Sequence, residues 1–144
     1  MAKVTAINIS ETKGVVKTSI EKGYFKVNHG LEGDAHSGNW HRQVSLLSQT
    51  SIDKMIAKGA ENLTPGKFAE NLTIEGIVLY ELPIGTNLKV GDEVLMEVTQ
   101  IGKECHTGCA IRQLVGDCVM PREGIFTKIL SPGWIKPGDG IEII

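Results

Sequence analysis

Lys89-Val-Gly-Asp-Glu-Val-Leu-Met-Glu-Val-Thr-Gln-Ile101 reads as a short strand, a tight turn at Gly91-Asp92 and a longer apolar strand. The device returns at Lys136-Pro-Gly-Asp-Gly-Ile141, so the pattern Lys-x-Gly-Asp-x-apolar occurs twice. Gly-Asp makes the tight turn in both, and Asp92 and Asp139 read as turn formers, not as catalytic acids. Working outward, residues 3–9 alternate apolar and polar positions as a half-buried strand does. Gly14 and Gly23 bracket a second strand at 15–20, and further strands are expected at 43–47, 72–74, 87–90, 93–101, 126–129 and 141–144. One helix interrupts them. Thr50 and Asp53 resemble a capping pair, Ile52, Met55 and Ile56 share a face, and Gly59 supplies a left-handed stop. A second short helix is expected at 110–115, ended by Gly116. Many short strands with turns between them predict a mainly β fold, a small closed or partly closed β-barrel with one or two short helices.

The chain has 144 residues, a formal charge of −2, 41% hydrophobic residues and 17 glycines. At roughly 100–200 residues per domain this is a single domain spanning 1–144. Lysines are spread along the chain and not collected in a stripe, which argues against nucleic acid or an anionic membrane as partner. No apolar run approaches the ~20 residues a bilayer span needs, and Met1-Ala2-Lys3-Val4 lacks an apolar signal core, so a cytoplasmic protein is expected.

Three cysteines cannot form a fully paired disulfide framework within one chain, and all three, Cys105, Cys109 and Cys118, fall in the last third. In Gln100-Ile-Gly-Lys-Glu-Cys-His-Thr-Gly-Cys-Ala-Ile-Arg112, Cys105 follows a strand, sits beside Lys103 and His106 and precedes the expected helix. A neighbouring cation and a helix N-terminus both favour thiolate over thiol, so Cys105 reads as a nucleophile or ligand. Cys118, in Cys-Val-Met, reads as core. Cys105-His106-x-x-Cys109 also admits zinc, with Cys118 or His36 completing four ligands, but the second half of a zinc motif is missing. The Cys105–Cys109 pair can equally form a regulatory disulfide or pass sulfur from one to the other.

Two further stretches carry polar groups beyond the needs of turning. Gly30-Leu-Glu-Gly-Asp-Ala-His-Ser-Gly-Asn-Trp-His-Arg42 mixes glycine with Asp34, His36, Trp40, His41 and Arg42, the density of a binding loop. The alternative is a solvated loop in which Asp34 caps amides and Trp40 plugs the barrel. In Phe68-Ala-Glu-Asn-Leu-Thr73, Glu70 and Asn71 either lock a loop through backbone hydrogen bonds or hold a polar ligand. Asn71 is the better reader of a ligand, since it offers both donors and acceptors.

Taken in order, Gly30–Gly38 with His41-Arg-Gln-Val-Ser45, Phe68-Ala-Glu-Asn-Leu-Thr73, Cys105 and the closing Ile135-Lys-Pro-Gly-Asp139 resemble the MOSC domain. That domain is found at the C-terminus of molybdenum cofactor sulfurases and in small stand-alone proteins. The resemblance covers nearly the whole chain. It implies a barrel related to that of pyruvate kinase and a cysteine, here Cys105, that carries sulfur or ligates molybdenum. It also implies the molybdenum cofactor (molybdopterin) as ligand, with Asp34, His36, Glu70 and Asn71 lining one pocket. Pyridoxal phosphate would belong to a partner, a cysteine desulfurase, beside any molybdenum cofactor biosynthesis or processing protein. The family commonly has glycine before its Glu-Asn-Leu. Ala69 stands there in this chain and calls for a turn of negative φ. Cys-His-x-x-Cys looks like a bacterial or archaeal stand-alone subgroup.

The leading expectation is therefore a sulfur-carrier or molybdenum-cofactor-binding domain, with sulfur transfer as the reaction class if the site is catalytic. Lys103 and His106 tune Cys105, Cys109 resolves or relays, and Arg42 and Arg112 are candidates for the cofactor phosphate. The alternatives are a small molybdenum-dependent oxidoreductase acting on N-hydroxylated compounds and a non-catalytic Cys/His metal-binding module.

Overall fold

The computed structural model describes residues 2–12, 16–59, 66, 68–102 and 123–144. Its elements are β1 (Lys3–Ile9), β2 (Thr18–Ile20), β3 (Gly23–Lys26), β4 (Gly30–Leu31), β5 (Val44–Ser48), α1 (Gln49–Ala57) and β6 (Leu72–Glu75). A single 3-10 turn (Leu79–Glu81) leads to β7 (Asn87–Val90), β8 (Val94–Ile101), β9 (Ile125–Ser131), β10 (Gly133–Ile135) and β11 (Ile141–Ile143). Eight strands form one sheet in the order β11-β7-β8-β9-β5-β6-β1-β2, and β10-β3-β4 form a second. All pairings are antiparallel except β5 with β6.

The alternation that announces β8 is real: Val94, Met96 and Val98 are buried while Leu95, Glu97 and Thr99 are only partly so. They pack with Val4, Ile7, Leu46, Leu72, Ile74, Leu88, Val90 and Ile125 in one apolar cluster. Each fully buried aliphatic side chain there contributes about 1.5–3 kcal/mol relative to exposure. The large sheet is not closed by a continuous ladder. It is partly closed, because Lys3 bridges Gly140, Val4 N–H donates to Asp139 O and Ile141 N–H to Ala2 O. The two Gly-Asp turns meet at this seam: Gly91 N–H donates to Gly140 O, and Asp139 Oδ2 accepts the Lys136 amide at 2.9 Å.

Several local expectations need correction. The second strand begins at Thr18, because the Lys17 amide leaves the ladder to donate to Gly66 O at 2.9 Å. Helix α1 is flanked by Ser48 with no side-chain cap, and Asp53 Oδ1 accepts from Gln49 Nε2 in place of a capping role with Thr50. Its buried face is Ser51, Ile52 and Met55, packed on β5 and β6, which leaves Ile56 exposed. Gly59 does adopt positive φ, +104°, with its amide bonded to Ile56 O. Strands β4 and β10 are too short for alternation to announce them, and β3 has only Phe25 as an apolar side chain on its buried face because Gly23 carries none. The expected helix at 110–115 lies outside the described residues. Among the described residues no helix is long and apolar enough to cross a membrane.

Candidate functional site

Asp34 lies in the glycine-rich loop after β4, and its carboxylate is fully buried. Oδ1 accepts from Lys17 Nζ at 2.7 Å and from the Ser10 amide at 3.2 Å, while Oδ2 accepts from the His36 amide at 3.1 Å. The last contact is a turn in which an aspartate satisfies the amide two residues on. Burial pushes the Asp34 carboxyl up, but the Lys17 hydrogen bond and charge, with the Ser10 and His36 amides, outweigh it and hold the pKa below the usual 3.8. Lys17 Nζ also reaches Ser10 Oγ at 3.1 Å and His36 Nδ1 at 3.1 Å. Gly66 makes the anchoring of Lys17 possible: a Cβ there would lie 2.3 Å from Lys17 O.

A chain of contacts leads from this cluster to β8. Trp40 Nε1 donates to His36 O at 2.9 Å. The Arg42 guanidinium stacks 4.6 Å from the Trp40 ring and 5.5 Å from the Phe126 ring, a placement that suits its planar, weakly hydrated cation. Among the described residues, buried Arg42 Nε has no hydrogen-bond partner. Such a donor is costly to leave unmade, about 1–3 kcal/mol, and therefore marks a place where a ligand can repay the cost. Next to it, His41 Nε2 pairs with Gln100 Oε1 at 2.8 Å, and Thr99 Oγ1 donates to His41 O. Gln100 Nε2 in turn donates to Gly102 O at 2.7 Å, and the Gly102 amide donates to Gly124 O at 2.6 Å. The pairing of β8 with β9 thus extends to Gly102 and Gly124.

Glu70 and Asn71 sit in a neighbouring buried network. Glu70 Oε1 accepts the Phe68 amide at 3.2 Å, and Oε2 accepts Thr73 Oγ1 at 2.7 Å. Burial pushes the Glu70 carboxyl above its usual 4.5, with these hydrogen bonds pulling the other way. Asn71 Oδ1 accepts from Ser45 N and Ser45 Oγ, and Asn71 Nδ2 donates to Asn8 O. The Asn71 side chain ties the loop before β6 to β1 and β5, while the Glu70 carboxylate fastens that loop to itself and to Thr73 at the start of β6. The turn feeding them is of positive φ, +62° at Ala69, against the sequence expectation, because Ala69 N–H must reach back to Gly66 O.

The structure therefore gathers Asp34 and His36 around Lys17, links them through Trp40 to Arg42, and sets Glu70 and Asn71 in the adjoining network. Lys103, Cys105, His106, Cys109, Arg112 and Cys118 lie outside the described residues. Among the described residues no group of three His, Cys, Asp or Glu side chains could hold a metal ion. Lys17, Gln100, Asn8 and Ser45 escape the sequence reading. A lysine in a strand-like run is ordinarily solvated, and nothing local marks Lys17 as buried.

Residues 33–142 match the family model described as the MOSC domain. Among solved structures, the YuaD protein from Bacillus subtilis superposes with a TM-score of 0.81 and 19% identity, over 99% of this chain and 96% of its own. YiiM from Geobacillus stearothermophilus gives 0.76 and 17%, over 100% of this chain and 75% of its own. YiiM from Escherichia coli gives 0.69 and 17%, over 100% and 70%. At these identities the likeness establishes the fold. No curated protein matches the sequence.

Proposed function

From the premise that the chain belongs to the MOSC domain family, which is linked to molybdenum-cofactor-related proteins, we propose that it is a molybdenum-cofactor-handling domain in which Cys105 accepts sulfane sulfur or ligates molybdenum. The observation that supports this reading is Arg42. A guanidinium lying against two aromatic rings, with a buried Nε that has no partner among the described residues, is a fitting receptor for the phosphate of a pterin cofactor. It is joined through His41 and Gln100 to Gly102, and Cys105 follows Gly102 by three residues, a reach of at most about 11 Å.

In the carrier role, the Cys105 thiolate attacks the outer sulfur of a persulfide on a donor cysteine desulfurase. A new S–S bond forms at Cys105, the donor's S–S bond breaks, and the donor cysteine leaves as a thiolate, so no oxidant is consumed. Lys103 and His106 favour the thiolate, and Cys109 resolves the persulfide or passes it on. Arg42, with Arg112 as second candidate, binds the cofactor phosphate. His36 faces the ligand, and Asp34, Glu70 and Asn71 hold the loops that border it. When bound, the cofactor supplies two-electron redox and sulfur- or oxygen-transfer chemistry at its metal. Pyridoxal phosphate belongs to the donor. Titration of molybdopterin into the purified protein tests the binding half of this reading: saturable binding that Arg42→Met weakens is expected, and no binding by the unaltered chain contradicts it.

A further inference from the structure

His41 and Arg42 are neighbours in the chain, and both lie against Trp40. The Arg42 guanidinium is 4.6 Å from the Trp40 ring, and the His41 ring stands at 70° to it with centroids 5.9 Å apart. Among the described residues neither side chain is paired with a carboxylate, and the buried Arg42 Nε has no acceptor. Two basic side chains set together without an acidic partner, one with a buried N–H left over, are satisfied by an anion from outside the chain.

Gln100 decides which nitrogen of His41 can meet that anion. A carboxamide has one accepting oxygen and one donating nitrogen. Gln100 Nε2 donates to Gly102 O at 2.7 Å, so Oε1 is the atom that faces His41. Turning the amide over would press two carbonyl oxygens together. Because Gln100 Oε1, 2.8 Å from His41 Nε2, can only accept, His41 Nε2 carries a proton. In the neutral ring the lone pair is then on Nδ1, and a second proton has to go there. His41 is solvent-exposed, and among the described residues its Nδ1 has no hydrogen-bond partner. Thr99 and Gln100 face it from β8, neither of them titratable, and Arg42 is the charged neighbour on its own loop.

We propose that His41 is a second anion-binding residue beside Arg42, with Gln100 as its positioning residue, and that it takes up a proton on Nδ1 when the site binds a doubly charged tetrahedral oxyanion. Arg42 supplies a permanent charge and a planar fork. An anion between the two side chains offsets their repulsion and favours the charged imidazole, which then donates from Nδ1 while Nε2 keeps its bond to Gln100. The proton comes from solvent, and no bond of the ligand breaks. A phosphate monoester has this chemistry. That the monoester is the cofactor's rests on the proposed function, whereas the proton uptake does not.

The test uses the full chain and sulfate, which stays doubly charged where histidine titrates, so a proton taken up belongs to the protein. A two-bond proton–nitrogen correlation spectrum of the nitrogen-15-labelled chain, at the alkaline end of that range, is expected to show His41 Nε2 protonated and Nδ1 bare. Sulfate converts the ring to the imidazolium pattern, and chloride at equal ionic strength does not. Sulfate affinity rises as pH is lowered from about 8 to about 5, by at most about tenfold per unit for a single linked proton. In His41→Gln it is weaker at the acid end and independent of pH, and in Gln100→Leu the two nitrogens average and respond less to sulfate. No sulfate binding, His41 nitrogens unmoved by sulfate or a neutral ring protonated on Nδ1 in the unaltered protein overturns the proposal, as does an equal pH dependence in His41→Gln. Molybdopterin added to the sulfate-loaded protein is expected to displace the sulfate, and retained sulfate overturns the cofactor as source of the oxyanion while leaving the proton uptake intact.

Discussion

Lys17 Nζ lies 2.7 Å from Asp34 Oδ1 with both side chains wholly excluded from solvent. The pair fastens the segment before β2 to the loop that carries His36, Trp40 and Arg42. Removing one partner of a buried ion pair leaves the other charge unpaired, which costs about 3–5 kcal/mol. Lys17→Met and Asp34→Leu should each fall in that range, and the double variant should lose much less than their sum. Urea unfolding of the four proteins, read as a double-mutant cycle, checks this.

The buried carboxyls of Asp34 and Glu70 should respond to pH in opposite senses. Asp34 has its folded pKa below 3.8, so its contribution to stability is present above that value and is lost as pH falls through the folded pKa. Glu70 has its folded pKa above 4.5, so its contribution is complete below 4.5 and is lost as pH rises through the folded pKa. Glu70→Gln should therefore gain stability relative to the unaltered protein as pH is raised from the acid side of 4.5 to neutrality. Denaturant midpoints across that range provide the measurement, and a difference that does not change with pH would argue against an ionising Glu70.

Ala69 holds φ at +62°, a region an L side chain occupies at a cost of about 1–2 kcal/mol. Ala69→Gly removes that cost and adds a smaller loss of chain entropy on folding, so a net stabilisation of up to about 1 kcal/mol is expected. A rise in the urea midpoint with an unchanged slope would record it.

Arg42→Lys keeps the charge but loses the planar fork and its stacking on Trp40 and Phe126. Hydrogen bonds to charged groups contribute about 1.5–3 kcal/mol, so molybdopterin binding should weaken by about 10-fold or more. Isothermal titration against the unaltered chain measures the change, and equal affinities would remove Arg42 from the phosphate site.

Part of the large sheet is legible in the sequence because burial of one face writes a period of two into β7 and β8 and into the first half of β1, whereas Ala6, Ile7 and Asn8 are all buried and β5 is buried throughout. Strands β4 and β10 span only two and three residues, too few to carry a period, and β3, whose burial does alternate, opens on Gly23 and so shows only one apolar side chain, Phe25, on its buried face. Ile56 shows the limit of helical spacing: it lies beside the buried stripe of α1 but points to solvent. At the site, the glycine-rich loop stands out by its polar density. Lys17 does not, because its pairing with Asp34 spans |i−j| = 17 and depends on a backbone anchor at Gly66. No local rule distinguishes a lysine destined for such a pair from one that is solvated.

The sulfur-carrier or molybdenum-ligand role rests on Cys105 and is tested there. The protein is incubated with a cysteine desulfurase and cysteine, digested without reductant, and the Cys105 peptide is weighed by mass spectrometry. One added sulfur on Cys105, released by dithiothreitol, is expected, or, where Cys105 ligates molybdenum, retention of molybdopterin that Cys105→Ser abolishes. A Cys105 peptide of unchanged mass in a protein that also fails to retain molybdopterin would contradict it.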